Sequence, residues 1–210
     1  MRSGNFRHLL WICVVSLLLY GCTASGKKEQ SKTNKEEASS KSHKHKEAGG
    51  KVLLTVEDFE SGIDDWQGIT PDANVEIVND AKTGKKAAKF TYRAGKQGAW
   101  TNVAHSIEQW PKGGNAISFW AKAKKPTAVM LKVNEMRGSH EGFEGFSAKI
   151  DIGTEWGYHV VMLKDLQYLW GMGKGNKKLD ADNVSTVGFE QEDITKAVAF
   201  IVDDIAISRE

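Results

Sequence analysis

An all-β fold, a sandwich or a barrel, is predicted for residues 52–210. Short runs there alternate apolar and polar residues at period two. Clusters of Gly, Asn, Asp and Lys separate the runs. No segment shows a long apolar stripe at 3.6-residue spacing with capping signals. Strands are predicted at 52–59, 75–78, 87–93 (after the turn Thr83-Gly84-Lys85), 100–107, 116–121, 127–136, 146–152, 157–163, 184–189 and 197–207. Only 163–170 reads as a short helical turn. Many short strands with regular breaks give two packed sheets or a closed barrel.

Alternation assigns faces. In 127–136, Val129, Leu131 and Val133 form the core set. Met130, Lys132, Asn134 and Met136 face away. Ala88, Phe90 and Tyr92 point inward together. Val103 points inward with Thr101 and His105, which turns Trp100 and Asn102 outward. His159, Val161 and Leu163 form one set, Tyr158, Val160 and Met162 the other. An outward Trp beside outward Asn, Lys and Tyr marks a contact surface, because large exposed aromatics are otherwise costly.

Composition supports a globular chain. Of 210 residues, 40% are hydrophobic and 27% charged. The net charge of +2 hides an asymmetry: residues 1–51 carry +6 and residues 52–210 carry −4. The predicted domain is therefore mildly acidic, which argues against nucleic-acid binding.

The first 51 residues read as an address and a tether. Arg2 and Arg7 precede the apolar run 9–20, which is shorter than the roughly 20 residues a spanning helix needs. This is a secretory signal pattern. Leu19-Tyr20-Gly21-Cys22 resembles a bacterial lipoprotein box. The resemblance implies a signal peptide over 1–21, cleavage before Cys22, lipidation of Cys22, and an extracytoplasmic protein anchored to a bacterial membrane. An ordinary secretion signal is the alternative. With Cys13 in the leader and Cys22 lipidated, no thiol is left for a disulfide or a metal site. Residues 22–51 hold no aromatic and no large aliphatic residue after Cys22, and read as a disordered Lys/Ser/Glu-rich linker. His43 and His45 could hold a metal weakly; surrounded by lysines, they read as part of a solvated tail.

Several pieces then fall in order: Asp58-Phe59-Glu60 with Gly62 and Trp66; Thr83 to Ala88; Trp110 ahead of Gly113 to Ala123; Glu155-Trp156; Leu163 to Leu166; Val184 to Phe189; and Ile201-Val202-Asp203-Asp204-Ile205. This ordered set resembles the galactose-binding-like jelly-roll carbohydrate-binding modules, the family 11 group in particular. The resemblance implies a two-sheet jelly-roll β-sandwich. It also implies a structural Ca²⁺ where the first and last strands meet, with Glu60 and Asp203 at the matching positions. Ca²⁺ takes six to eight oxygens, so carboxylates plus turn carbonyls near Gly84 and Lys86 suit it. Carboxylates bonded to backbone N–H groups are the alternative. Asp58 and Asp204 are expected at the surface. Family positions also put Trp120 and Trp156 in the core, and Trp66 and Trp110 are read as packing residues.

A sugar-binding face needs aromatic platforms for C–H faces and planar polar groups for hydroxyls. The candidates are Trp100, Asn102, Lys132, Asn134, Arg137, His140, Glu141, Tyr158 and Trp170. Enzyme readings fare worse. His140-Glu141-Gly142-Phe143-Glu144 lacks the second His of a zinc-protease helix. Gly171 to Asn176 lacks the third glycine of a dinucleotide loop. Glu141, Glu144, Glu190 and Glu192 are the carboxylates from which a glycosidase pair could come. The expectation is non-catalytic binding of a polysaccharide such as a β-glucan at the cell surface, with partner hydrolases or transporters. A protein–protein assembly module is the alternative.

Overall fold

A computed structural model of the chain describes residues 50–70, 72–95, 102–137 and 142–210, except for the side chain of Arg137. The predicted leader, Cys22 and nearly all of the linker therefore lie outside the described residues. From residue 50 onward the protein is a sandwich of two antiparallel sheets. The strands are β1 (Lys51–Glu57), β2 (Trp66–Gln67), β3 (Ala73–Val78), β4 (Ala87–Tyr92), β5 (Val103–Ser106), β6 (Ala116–Lys122), β7 (Thr127–Arg137), β8 (Gly142–Ile152), β9 (Gly157–Met162), β10 (Gln167–Gly173), β11 (Val184–Gln191) and β12 (Val198–Arg209). The first sheet runs β3-β4-β12-β6-β9, with β1 also on β12; the second runs β10-β8-β7-β11-β5-β2.

The core forms where the inward sets meet. Phe189 of β11 packs edge-on against Phe90, Phe119 and Phe200 of the opposite sheet at 5.1, 5.2 and 5.6 Å between ring centres. Each fully buried aromatic contributes about 2–3 kcal/mol from area alone, and edge-on geometry adds about 0.5–1.5. The Tyr92 hydroxyl spans the layers, donating to the Phe189 carbonyl at 2.7 Å. Trp66 and Trp110 are buried, as expected, and Trp110 Nε1 donates to the Gly114 carbonyl.

Four expectations are corrected. Trp120 and Trp156 are not core. Phe119 and Ala121 take the inner face of β6, so Trp120 stands on the outer face. There it contacts Tyr158 at 5.0 Å and lies 4.1 Å beneath the Lys82 ammonium. Trp156 is half-buried under Lys122 at 4.9 Å. Asp204 is buried, accepting the Thr83 hydroxyl at 2.7 Å, with φ of 51°. The helical turn shrinks to a 3-10 turn at Leu163–Asp165, and residues 167–173 form edge strand β10. That strand has no buried face, so the alternation that betrays other strands is missing.

Candidate functional site

The outer face of the second sheet carries the candidate site. Register aligns one row of residues directly across its strands. Trp170 on β10 faces Gly145 on β8, Gly145 faces Asn134 on β7, Asn134 faces Thr186 on β11, and Thr186 faces Ser106 on β5. Strands lie about 4.8 Å apart, so this row is about 19 Å long. Side chains link along it. Asn134 Nδ2 donates to Thr186 Oγ1 at 2.9 Å, and Gln67 Nε2 donates to Ser106 Oγ at 2.9 Å. Asn134 Oδ1 is buried and has no hydrogen-bond partner among the described residues. An idle buried acceptor costs free energy unless something donates to it.

Gly145 makes the platform possible. A Cβ there would lie 2.7 Å from Trp170 Cε2 and 2.9 Å from Cδ1. The indole therefore rests over the bare backbone of β8. Beside it runs an apolar strip, Met172, Phe143 and Met136, again directly paired across strands. Met172 is 62% exposed.

The structure thus brings Asn134 and Trp170 onto one row. Lys132 lies on the same face but is not solvated: it is 3% exposed, and its ammonium meets Glu190 Oε2 at 2.7 Å. A charge so buried requires a partner, and Glu190 on the next strand supplies one. Asn102 adjoins β5, half-buried, with Oδ1 unpaired among the described residues. Arg137 ends β7, and its side chain is not described. Trp100, His140 and Glu141 lie outside the described residues. Tyr158 is on β9 of the opposite sheet, paired with Trp120, and does not share this face. Thr186, Ser106, Gln67 and Gly145 were not expected. Their joint placement depends on register between distant strands, for which no local pattern exists.

Of the carboxylates weighed for catalysis, the three among the described residues have partners of their own. Glu144 faces the interior at 1% exposure and accepts from the Asn176 and Lys177 N–H groups at 2.8 and 2.7 Å. Glu190 holds Lys132, and Glu192 pairs with Lys149 at 3.1 Å.

Glu60 and Asp203 meet the same turn, residues 82–86. Glu60 Oε1 accepts from the Lys85 and Lys86 N–H groups at 2.6 and 2.8 Å. Those bonds hold its carboxyl below the ordinary range. Asp203 Oδ2 accepts from Lys82 and Thr83, and Oδ1 accepts from the Asp204 N–H at 2.9 Å. Burial outweighs these bonds and, with the neighbouring Asp204 charge, pushes Asp203 up to about 6. No group of three or more His, Cys, Asp or Glu side chains converges among the described residues. A carboxylate offers about four acceptor positions, so Glu60 keeps capacity for a further partner.

By sequence, no family profile and no curated protein matches the chain. Solved structures do match its shape. The family 11 carbohydrate-binding module from Clostridium thermocellum, in complex with a β-1,3-1,4-mixed-linked tetrasaccharide, superposes with a TM-score of 0.65 at 20% identity. The match covers 78% of this chain and 98% of that one. This chain has the fold of the family 11 modules. The family 11 module of the C. thermocellum cellulosomal cellulase Lic26A-Cel5E gives 0.63 at 21% identity, covering 78% and 96%. A family 30 carbohydrate-binding module gives 0.51 at 16% identity, covering 71% and 90%.

Proposed function

We propose that the sandwich is a non-catalytic polysaccharide-binding module that takes a β-glucan or similar glycan on the outer face of its second sheet. The row from Trp170 to Ser106 carries this reading. It sets an indole beside an amide whose oxygen is buried and unpaired among the described residues, then continues as two hydroxyls, the second bonded to the Gln67 amide. A pyranose ring stacks its C–H face on an indole and offers hydroxyls to such groups. A donated sugar hydroxyl would satisfy Asn134 Oδ1. Fold likeness to modules solved as carbohydrate binders, one with a mixed-linked glucan tetrasaccharide bound, supports the same reading.

The remaining parts of the proposal concern placement. Cys22 carries the lipid, residues 22–51 act as the spacer, and the module presents captured glycan outside the cell to hydrolases or transporters. A structural Ca²⁺ is held by Glu60 and Asp203, neutralising two carboxylates gathered on one turn and stapling the last strand to it.

Affinity electrophoresis in mixed-linked β-glucan tests the function. Wild type is retarded, Trp170→Ala is retarded less, and neither releases reducing sugar. Free migration of the wild type through every neutral glucan tested refutes the reading and favours an assembly module. Detergent phase partition of Cys22→Ser tests the anchor: the variant moves to the aqueous phase.

A further inference from the structure

The outer face of the first sheet holds a groove of about 580 Å³ that the proposed glucan face does not use. Its floor is small and apolar: Thr91 on β4, Ala197 just ahead of β12, and Ala199 and Ile201 on β12. The floor is open for a topological reason. Register between β6 and β12 begins only at Ile201 and Lys122, and the chain turns away at Ala123, whose N–H goes to the Gly153 carbonyl at 2.9 Å. Among the described residues, no strand pairs residues 198–200 of β12 on that side.

The rim is cationic. Lys89, Arg93, Lys124 and Lys125 line it, and no acidic side chain among the described residues does. Three other lysines meet carboxylates: Lys122 with Asp80 at 2.6 Å, Lys149 with Glu192 at 3.1 Å, and Lys196 with Asp193 at 2.8 Å. Lys89 itself pairs with Glu76 at 2.7 Å. Arg93, Lys124 and Lys125 are exposed and have no ion-pair partner among the described residues. Three uncompensated cations gather here on a domain whose sequence from residue 52 carries −4. Past Ala197 the next depression shares Lys125 with the groove and is lined by Glu192, Asp193 and Lys196 as well.

We propose that this groove binds an acidic saccharide, a uronate-bearing chain, independently of the second-sheet site. Ring C–H faces lie against Thr91, Ala199 and Ile201, and carboxylates meet Arg93, Lys124 and Lys125. Guanidinium and carboxylate match as two parallel hydrogen bonds. A bilayer is the poorer occupant, because insertion requires projecting large apolar side chains and this floor offers alanine and a half-buried isoleucine.

Affinity electrophoresis and calorimetry with polygalacturonate at low ionic strength test the proposal. Wild type binds, and binding weakens as salt rises. Arg93→Gln/Lys124→Gln/Lys125→Gln weakens it by about tenfold or more, and Ala199→Gln, which fills the floor, does likewise. Mixed-linked glucan binding is unchanged in both variants, while Trp170→Ala shows the reverse pattern. The altered positions are exposed, so thermal melts match wild type. No binding of polygalacturonate by wild type, equal binding by the triple variant, or equally strong binding to vesicles of anionic phospholipid overturns the proposal.

Discussion

The substitution Gly145→Ala tests the proposed glucan face without removing any group that touches ligand. The added Cβ would stand 2.7 and 2.9 Å from two carbons of the Trp170 indole, where ordinary contact begins at 3.4 Å. The backbone of β8 is paired on both sides and cannot give way, so the ring must retreat by about an ångström or rotate. β10 is an edge strand, and the move costs the fold little. A sugar ring covering about 40–60 Å² of indole gains about 1–1.5 kcal/mol at 25 cal/mol per Å². Losing that contact weakens binding about five- to tenfold. Titration calorimetry with a mixed-linked glucan oligosaccharide reads the change, and Trp170→Ala should give a loss of the same size. The double variant should lose no more than Trp170→Ala alone, because both changes act through one ring. Wild-type affinity in both single variants would refute the platform. A loss in Gly145→Ala that adds fully to that of Trp170→Ala would refute the coupling.

Three further outcomes follow from particular contacts. Tyr92→Phe removes the hydroxyl bonded to the Phe189 carbonyl and should cost about 1 kcal/mol, lowering the melting temperature by about 2–4 °C. His159 stacks on Phe119 at 5.2 Å, and burial holds its pKa below the ordinary 6.5. The unfolded chain therefore takes the proton first, and stability from this group, full above 6.5, is lost as pH falls through the folded value. Denaturation between pH 7 and 5 should show a decline that His159→Phe flattens. Chelation should lower the melting temperature if Glu60 and Asp203 hold Ca²⁺, since a ligand bound at a hundredfold its dissociation constant adds about 2.7 kcal/mol; an unchanged melt rejects the metal.

Much of the fold was legible because alternation reports a buried face. Val129, Leu131 and Val133, and likewise Ala88, Phe90 and Tyr92, lie in the core as the pattern predicts. β10 was hidden for the converse reason: it buries nothing regularly, so no strand is predicted there and 163–170 reads as a short helical turn. Trp120 was misplaced because the family resemblance puts it in the core, whereas its parity with Lys122 and against Phe119 already turns it outward. The site was legible only one strand at a time. Asn134 and Trp170 could be named from outward position and chemistry. That Thr186, Ser106 and Gln67 stand beside them depends on pairings between β7, β11, β5 and β2, separated by tens of residues. Tyr158 and Trp170, equally plausible by type, fall on opposite sheets for the same reason.

The two outer faces differ in what covers them, and this decides where a neutral sugar can stack. On the first sheet Asp203, Trp120 and Tyr158 form a direct row across β12, β6 and β9. The turn at residues 82–83 lies over that row. Its Lys82 and Thr83 N–H groups bond Asp203, and the Lys82 ammonium sits on the Trp120 face at 4.1 Å. Cation and indole already satisfy each other there, so a sugar would have to displace the lysine. On the second sheet the Trp170 indole lies over a glycine, and the acceptor next along the row has no partner among the described residues. An outward aromatic is therefore an incomplete criterion for a glycan platform. Removing Lys82 supplies the control: Lys82→Ala frees the Trp120 face. If stacking area alone sufficed, that variant would gain glucan affinity in a Trp170→Ala background. The expected result is no gain, because the first sheet sets no unpaired acceptor beside Trp120 among the described residues.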